Sequence, residues 1–177
     1  SLKIISVGRL TDQKDFLTLL KAVKILKKKK KVELVIIGKG VEKKKLESYT
    51  YNERLDSIVK FIGYQKNPFK FIKQADIFIL TSLFEGSPNV LVEALFLKKY
   101  VISTNCPTGP REILNNNKYG SLVKTGDFKK ISNLLINFKK DKKTKIKIQK
   151  GFQSLKKFDY KTNCEKYFKL IKKYIYV

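Results

Sequence analysis

Two consecutive stretches, Ile77-Phe78-Ile79-Leu80-Thr81 and Glu85-Gly86-Ser87-Pro88-Asn89-Val90-Leu91-Val92-Glu93-Ala94, decide how this 177-residue chain is interpreted. The first is a short apolar run, typical of a buried strand. In the second, Ser87 belongs to the residue types that cap helices, and Pro88 suits the first helical position, where a missing N–H costs nothing. The two stretches together predict a buried strand, a loop and the start of a helix.

That helix start predicts a binding site. The amides of Asn89, Val90 and Leu91 would be free at a helix N-terminus, where anions bind readily. Two carboxylates frame these amides, Glu85 in the loop and Glu93 in the second turn of the helix. A phosphate site between two acids indicates a ligand that has both a phosphate group and sugar hydroxyls.

Strands and helices alternate along the rest of the chain. Predicted strands cover residues 3–7, 32–37, 58–62, 77–81, 100–104 and 119–123. Predicted helices lie near residues 16–26, 41–52, 68–73, 88–97, 111–114, 127–139, 142–157 and 160–174. This alternation predicts parallel βαβ units with right-handed crossovers. We therefore expect an α/β fold, a Rossmann-like doubly wound parallel sheet of about six strands with helices on both faces.

Ligands of such sheets bind outside the carboxyl ends of the strands. The loops predicted at that edge contain Arg9, Lys14, Gly38, Gly63, Glu85 and residues 105–110, and we expect them to converge on one crevice. The Gly38-Lys39-Gly40 segment resembles the opening of a dinucleotide-binding fingerprint, but Lys43 occupies the position of the third glycine. We expect both glycines to serve a tight turn between a strand and a helix.

The chain is strongly basic, with 40 Lys and Arg against 15 Asp and Glu and a formal net charge of +25. Only three of the 40 are arginine, whereas proteins that read nucleic-acid sequence depend on the forked arginine side chain. No specific nucleic-acid partner is expected. The excess of lysine indicates either a solvated surface that results from a bias in amino-acid composition, or attraction to an anionic membrane. Arg9 and Arg111 lie in loops, where a planar fork suits an anion.

The hydrophobic fraction of 42% excludes a disordered chain, and no apolar run is long enough to span a bilayer. Cys106 and Cys164 fit a reduced compartment without excluding a disulfide, and they give no metal-ligand spacing. The chain has no secretory signal and starts directly on a strand-like segment, so it looks like a piece of a larger protein.

Three motifs, in this order, resemble the retaining glycosyltransferases of family 4, the glycosyl transferases group 1. They are Gly8-Arg9-Leu10 with Gln13-Lys14-Asp15, the Glu85 and Glu93 pair with seven residues between the acids, and Pro107-Thr108-Gly109-Pro110-Arg111-Glu112-Ile113-Leu114. The resemblance implies a GT-B fold, in which two Rossmann-like halves face a cleft. Residues 1–177 would form the carboxyl-terminal, nucleotide-sugar-binding half, with residues 155–177 as a helix that crosses to the other half.

The resemblance also implies roles for individual residues. Glu85 would contact the transferred sugar as the catalytic-site acid, and Glu93 would bind the ribose hydroxyls. The other implied contacts are to the donor diphosphate (Arg9, Lys14, Asn89, Val90, Leu91), to phosphate or sugar from the loop (Gly86, Ser87) and to the base (Gly63, Tyr64). Two simpler interpretations stay open, in which Lys14 is a surface lysine and Glu93 a solvent-facing helix residue.

The implied function is donor binding, with a UDP-sugar as co-substrate, in a transferase that builds a surface polysaccharide or a lipid-linked oligosaccharide. No metal or other cofactor is expected, because basic residues would take the place of a metal ion. The partners would be an N-terminal acceptor half, absent here, and an anionic membrane or lipid-linked acceptor on the cytoplasmic face. The chain has no His, so the usual catalytic His of the family is also absent, and the chain alone is expected to be inactive.

Two alternatives to this function remain. The first is a basic module that binds nucleic acid or membrane, and the second is a GT-B relative that is not a transferase, such as a phosphorylase or an epimerase. In the transferase, exposed aromatic residues are expected on the last helix, at Tyr160, Tyr167, Phe168 and Tyr174.

Overall fold

Six parallel strands form one sheet in the computed structural model, which describes residues 1–175 except for the side chains at positions 162 and 173–175. The strands are β1 (Leu2–Val7), β2 (Val32–Ile37), β3 (Val59–Phe61), β4 (Ile77–Leu80), β5 (Tyr100–Thr104) and β6 (Ser121–Val123). Their order across the sheet is β3-β2-β1-β4-β5-β6. The predicted doubly wound parallel sheet is confirmed.

Helices connect these strands and continue beyond the last of them. They are α1 (Phe16–Leu26), α2 (Lys43–Asn52), α3 (Phe69–Gln74), α4 (Asn89–Phe96), α5 (Pro110–Ile113), α6 (Phe128–Ile136), α7 (Lys142–Ser154) and α8 (Tyr160–Ile175). Short 3-10 turns occupy Asp12–Lys14 and Leu155–Phe158, and the second of these ends the predicted helix 142–157 early. The predicted cap of α1 is confirmed, since the Asp15 carboxylate accepts from the Thr18 amide at 3.2 Å.

Two apolar cores cover the two faces of the sheet. On one face, α1 and α6 pack with strand residues such as Ile4 and Leu34. On the other face, α3 and α4 pack with residues such as Ile5 and Phe78. All four residues of β4 are buried, as expected for a central parallel strand whose two faces are both covered. The predicted placement of helices on both faces is therefore confirmed.

The direction of winding changes between β1 and β4. The chain proceeds from β1 through β2 to β3 on one side, and from β4 through β5 to β6 on the other. β1 and β4 are neighbours, with Ile4 paired to Ile77 and Ile5 to Phe78. Loops that leave the carboxyl ends of two such strands diverge, and a crevice opens between them.

The predicted start of α4 is wrong by one residue. Pro88 is the residue that flanks the helix rather than its first member, and no side chain, including that of Ser87, caps it. Packing explains the difference: Pro88 is buried, and its ring lies so close to Gly109 that a Cβ on Gly109 would be 2.5 Å from Pro88 Cδ. Tertiary contact with the β5–α5 loop therefore fixes the entry to α4.

The last helix has an exposed aromatic surface. Tyr160, Tyr167 and Phe168 are exposed, as predicted, whereas the side chain of Tyr174 lies outside the described residues. No helix in the described part of the chain is both long enough and apolar enough to cross a bilayer.

Candidate functional site

The loops after β1 and β4 are joined by hydrogen bonds at the point where the winding changes. Thr81 Oγ1 donates to the Lys14 carbonyl at 2.9 Å, and the Leu83 amide donates to the Gln13 carbonyl at 2.8 Å. The Gln13 side-chain amide returns a hydrogen bond to the Phe84 carbonyl at 3.0 Å. These hydrogen bonds join the β1–α1 loop to the β4–α4 loop, so that the two loops form one unit.

Lys14 and Glu85 form an ion pair across these joined loops. Lys14 Nζ lies 2.5 Å from Glu85 Oε1, and the two side chains are only 14% and 7% exposed. The same carboxylate oxygen accepts from Ser82 Oγ at 2.6 Å. The aliphatic part of Lys14 lies over Gly8, where an added Cβ would be 3.4 Å from three of its carbons.

This ion pair excludes one of the interpretations left open by the sequence. Lys14 is not a surface lysine, because its side chain is largely enclosed. It is in direct contact with the Glu85 carboxylate. The contact joins residues 71 positions apart, so no local pattern in the sequence indicates it.

Beside the ion pair, a cleft of about 430 Å³ opens at the carboxyl ends of β1 and β2. Its walls include Arg9, Gly38, Tyr64, Val90 and Glu93, all of them in or beside the predicted crevice. Lys39 and Lys66 also line it. The lining therefore contains three cationic side chains and one carboxylate, that of Glu93. The cleft therefore favours a ligand with net negative charge and hydroxyl donors.

Glu93 is not a fully solvent-facing helix residue. It is half-buried on α4, beside Val90 and Val92, and this burial raises the pKa of its carboxyl above the ordinary value. A half-buried carboxylate with no cationic partner within the described residues is available to accept from ligand hydroxyls.

The raised pKa predicts how stability depends on pH. The free energy of unfolding should fall as pH rises from 4.5, the ordinary pKa, through the raised pKa of Glu93, because the folded chain binds that proton more tightly. The glutamine side chain of Glu93→Gln cannot ionise, so the free energy of unfolding of this variant should lack this part of the decrease. The variant should therefore be more stable than the wild type at neutral pH. Urea unfolding at a series of pH values measures it, and Glu47→Gln, at an exposed site on α2, is the matched control. Parallel profiles for the wild type and Glu93→Gln would contradict the prediction.

Close backbone contact forms the floor of the cleft. The Gly8 amide donates to the Ile37 carbonyl and the Leu10 amide to the Lys39 carbonyl, each at 3.0 Å. A Cβ on Gly38, where φ is +148°, would stand 1.8 Å from the Gly8 carbonyl oxygen. The predicted use of Gly38 and Gly40 in a tight strand-to-helix turn is confirmed, and the structure adds that the turn packs on the β1–α1 loop.

The N-terminus of α4 offers fewer amides than predicted. The prediction for Leu91 is wrong, because its amide donates to the Pro88 carbonyl at 2.9 Å and its side chain is buried in the core. Asn89 and Val90 occupy the first two helical positions, where amides have no partner within a helix. Gly86 and Ser87 are exposed in the loop before them.

The β5–α5 loop only partly meets this site. Thr108 Oγ1 donates to the Glu85 carbonyl, which ties the loop to the β4–α4 loop. Arg111, however, lines a second cavity of about 440 Å³ together with Asn105, whose Oδ1 accepts from Arg111 Nε at 3.3 Å. The prediction that residues 105–110 share one crevice with Arg9 is therefore wrong for Asn105, whereas Thr108 does reach the site.

Among the described residues, no cluster of three or more His, Cys, Asp or Glu side chains could hold a metal ion. Both cysteines are free, with Cys106 buried and Cys164 exposed. Gln13, Thr81 and Thr108 lie in the stretches quoted from the sequence, but no role was predicted for them or for Ser82, although all four fix the loops of the site. Small polar residues after a strand were the available signal, but their partners lie far away in the sequence.

The sequence model of the family described as glycosyl transferases group 1 matches residues 1–153. The chain belongs to this family. A glycosyltransferase of Methanocaldococcus jannaschii is 45% identical over 115 residues, which are 64% of this chain and 28% of that protein. An N-acetylgalactosaminyltransferase of Campylobacter jejuni is 36% identical over 120 residues, 68% of this chain and 32% of that protein. This group 1 domain thus spans about a third of the length of these relatives.

Solved structures of glycosyltransferases share its fold. The C-terminal domain of LpcC, a glycosyl transferase group 1 family protein from Francisella tularensis, has a TM-score of 0.76 at 26% identity, covering 88% of this chain and 85% of that one. HepE from Anabaena, in complex with UDP, has a TM-score of 0.88 at 21% identity, covering 98% of this chain and 49% of that one. These matches confirm the expectation that the group 1 domain has the Rossmann-like fold found in GT-B glycosyltransferases.

Proposed function

We propose that this domain binds the UDP-sugar donor of a retaining glycosyltransferase that acts in the synthesis of a surface polysaccharide or a lipid-linked oligosaccharide. The observation that carries the proposal is the cleft between the β1–α1 loop and α4, which is lined by both Arg9 and Glu93 and lies beside the Lys14–Glu85 pair. The arrangement offers cations for a diphosphate and carboxylates for hydroxyls, side by side.

The diphosphate is assigned to the cations and free amides. The Arg9 guanidinium is exposed in the cleft and can form two parallel hydrogen bonds to a phosphate. The Lys14 ammonium has three N–H donors, of which Glu85 takes one, so the others can reach a phosphate oxygen. The Asn89 and Val90 amides at the start of α4 complete the set.

The nucleoside is assigned to the far end of the same cleft. The ionised Glu93 carboxylate accepts from the two adjacent ribose hydroxyls. Lys39 Nζ lies over one face of the Tyr64 ring, 5.8 Å from its centroid. The other face of this ring, which is 68% exposed at the cleft wall, is assigned to the base next to the open backbone of Gly63. Glu85 is then assigned to the transferred sugar, and the exposed loop residues Gly86 and Ser87 to the sugar or the adjoining phosphate.

In the transfer step, negative charge develops on the departing diphosphate as the glycosidic bond breaks. Arg9, Lys14 and the two amides would stabilise this charge electrostatically, usually the largest catalytic contribution. We propose that these groups act in place of a metal ion, so that UDP binding needs no divalent cation. In the proposed enzyme, the chain from residue 1 to 177 is a single donor-binding domain. Residues 155–177 cross to an N-terminal acceptor half.

The names of two relatives support the proposed class of acceptor, and the net charge supports the proposed location. The C. jejuni relative is named as a transferase to a sugar on diphospho-undecaprenol, and a relative from Escherichia coli, 31% identical over 99 residues, is named as a lipopolysaccharide 1,6-galactosyltransferase. Acceptors of this kind are lipid-linked. The charge of +25 supports contact with an anionic membrane, which we propose to be its cytoplasmic face.

Calorimetric titration of the 177-residue chain with UDP tests the donor site, with ADP and GDP as competitors for the assignment of the base. Arg9→Ala and Glu93→Ala should each weaken UDP binding about tenfold or more, since each removes hydrogen bonds to or from a charged group. Titrations with Mg²⁺ and with EDTA should give the same affinity.

Two variants far from the cleft serve as controls. Arg54→Ala removes an exposed arginine from the segment between α2 and β3, which enters β3 at its amino end, whereas the cleft lies at the carboxyl ends of the strands. Glu47→Ala removes an exposed acid on α2. Both should bind UDP as the wild type does. Undiminished UDP affinity in Arg9→Ala and Glu93→Ala would refute the site assignment.

A further inference from the structure

The hydroxyl of Ser82 lies directly against the carboxylate proposed to contact the transferred sugar. Ser82 is fully buried, and its Oγ donates to Glu85 Oε1 at 2.6 Å. Its own carbonyl accepts from the Thr104 hydroxyl at 2.6 Å, which ties the residue to the end of β5. The Ser82 hydroxyl is therefore a donor at a fixed place in the core.

Both internal donors reach the same oxygen of Glu85. Lys14 Nζ and Ser82 Oγ bind Oε1, at 2.5 and 2.6 Å. Within the described residues, Glu85 Oε2 has no hydrogen-bond partner. It is also not one of the fully buried polar atoms, so a ligand can approach it. One carboxylate oxygen is thus held by the protein, and the other is left for a ligand.

We propose that Ser82 is a positioning residue for Glu85, an inference that rests on the proposed donor site. The last torsion of a glutamate side chain is broad, so Lys14, itself on a flexible stem, does not alone fix the orientation of the carboxylate plane. A second donor from the rigid end of β4 does so. Because an ionised carboxylate oxygen only accepts, Oε2 selects a sugar that presents a hydroxyl or an amide N–H at this point.

Ser82→Ala tests the inference in the 177-residue chain. The measured quantity is the ratio of the UDP dissociation constant to that of UDP-N-acetylglucosamine or UDP-galactose, whichever binds more tightly. The ratio should fall about fivefold to tenfold in Ser82→Ala, as expected for the loss of one intramolecular hydrogen bond, while UDP affinity itself changes little. In a Glu85→Ala background, Ser82→Ala should have no further effect on the ratio.

Ser6→Ala is the matched control. Ser6 is equally buried on β1, and its hydroxyl donates to the Ile79 carbonyl at 2.7 Å, so this variant loses a buried hydrogen bond without touching Glu85. It should keep the wild-type ratio, even if it is less stable.

The outcomes separate this inference from the proposed function. A wild-type chain that binds UDP, but binds neither sugar nucleotide more tightly than UDP, overturns the positioning role alone. So does a Ser82→Ala variant with an unchanged ratio, or one that loses affinity for UDP and the sugar nucleotide equally. A wild-type chain that binds no UDP overturns the proposed function and this inference together.

Discussion

Lys14→Met should lower the free energy of unfolding by about 3 kcal/mol, because it leaves the buried Glu85 carboxylate without its cation. Methionine keeps the unbranched stem that packs over Gly8, so the loss is chiefly electrostatic. Ser82 alone would then solvate a carboxylate whose side chain is only 7% exposed. Urea unfolding followed by circular dichroism measures the change.

The double variant Lys14→Met/Glu85→Gln separates charge from packing. With no buried charge left, it should recover at least half of the stability that Lys14→Met loses. Lys45→Met is the matched control, since it breaks an ion pair of the same 2.5 Å length, with Glu42, on the exposed surface of the molecule. This control should change stability little, because exposed ion pairs contribute little. Equal effects of Lys14→Met and Lys45→Met would show that the Lys14–Glu85 pair is not a buried one in solution.

Gly38→Ala should destabilise the chain by at least about 3 kcal/mol, among the largest effects expected of a single methyl group here. The new Cβ would overlap the Gly8 carbonyl oxygen at 1.8 Å, and φ of +148° is a conformation that side chains rarely adopt. The backbones of the β1–α1 and β2–α2 loops would have to separate, which would also displace Arg9 from the cleft. Thermal and urea unfolding measure the loss.

Two other glycines isolate the cause. Gly63→Ala meets no atom within 4 Å but has φ of +69°, so it should cost only the left-handed backbone, about 1 kcal/mol. Gly86→Ala meets open space without a positive φ and should be nearly neutral. If Gly38→Ala proved as mild as Gly63→Ala, the close approach of the two loops would not exist in solution.

The fold could be predicted from the sequence because its signals are local. Apolar runs such as Val32–Ile37 and Tyr100–Thr104 match strands β2 and β5 at both ends. The α1 cap at Asp15 was predicted because capping depends on residues three positions apart. The start of α4 was misplaced because the packing of Pro88 on Gly109, 21 positions later, overrides the local preference.

The candidate site could be predicted only as a set of residues, without their partners. The rule that ligands bind at the carboxyl ends of parallel strands brought Arg9 and Gly38 to one cleft, whereas Tyr64 and Glu93 were assigned roles there by the family resemblance. No comparable rule shows that Lys14 contacts Glu85, or that Arg111 turns into a second cavity, because both depend on tertiary packing. Nor does the sequence show that a hydroxyl at Ser82 shares the oxygen that Lys14 binds.

The central position of β1 has a consequence for the chain while it is being synthesised. β1 can pair with β2 early, but its other edge stays open until Ile77–Leu80 has left the ribosome. An open edge of an apolar strand invites pairing with other chains. Residues 1–76, which precede that strand, contain 19 Lys and Arg against 8 Asp and Glu, a net charge of +11 that repels a neighbouring copy during this interval. We therefore expect the basic surface to oppose aggregation of the half-made sheet.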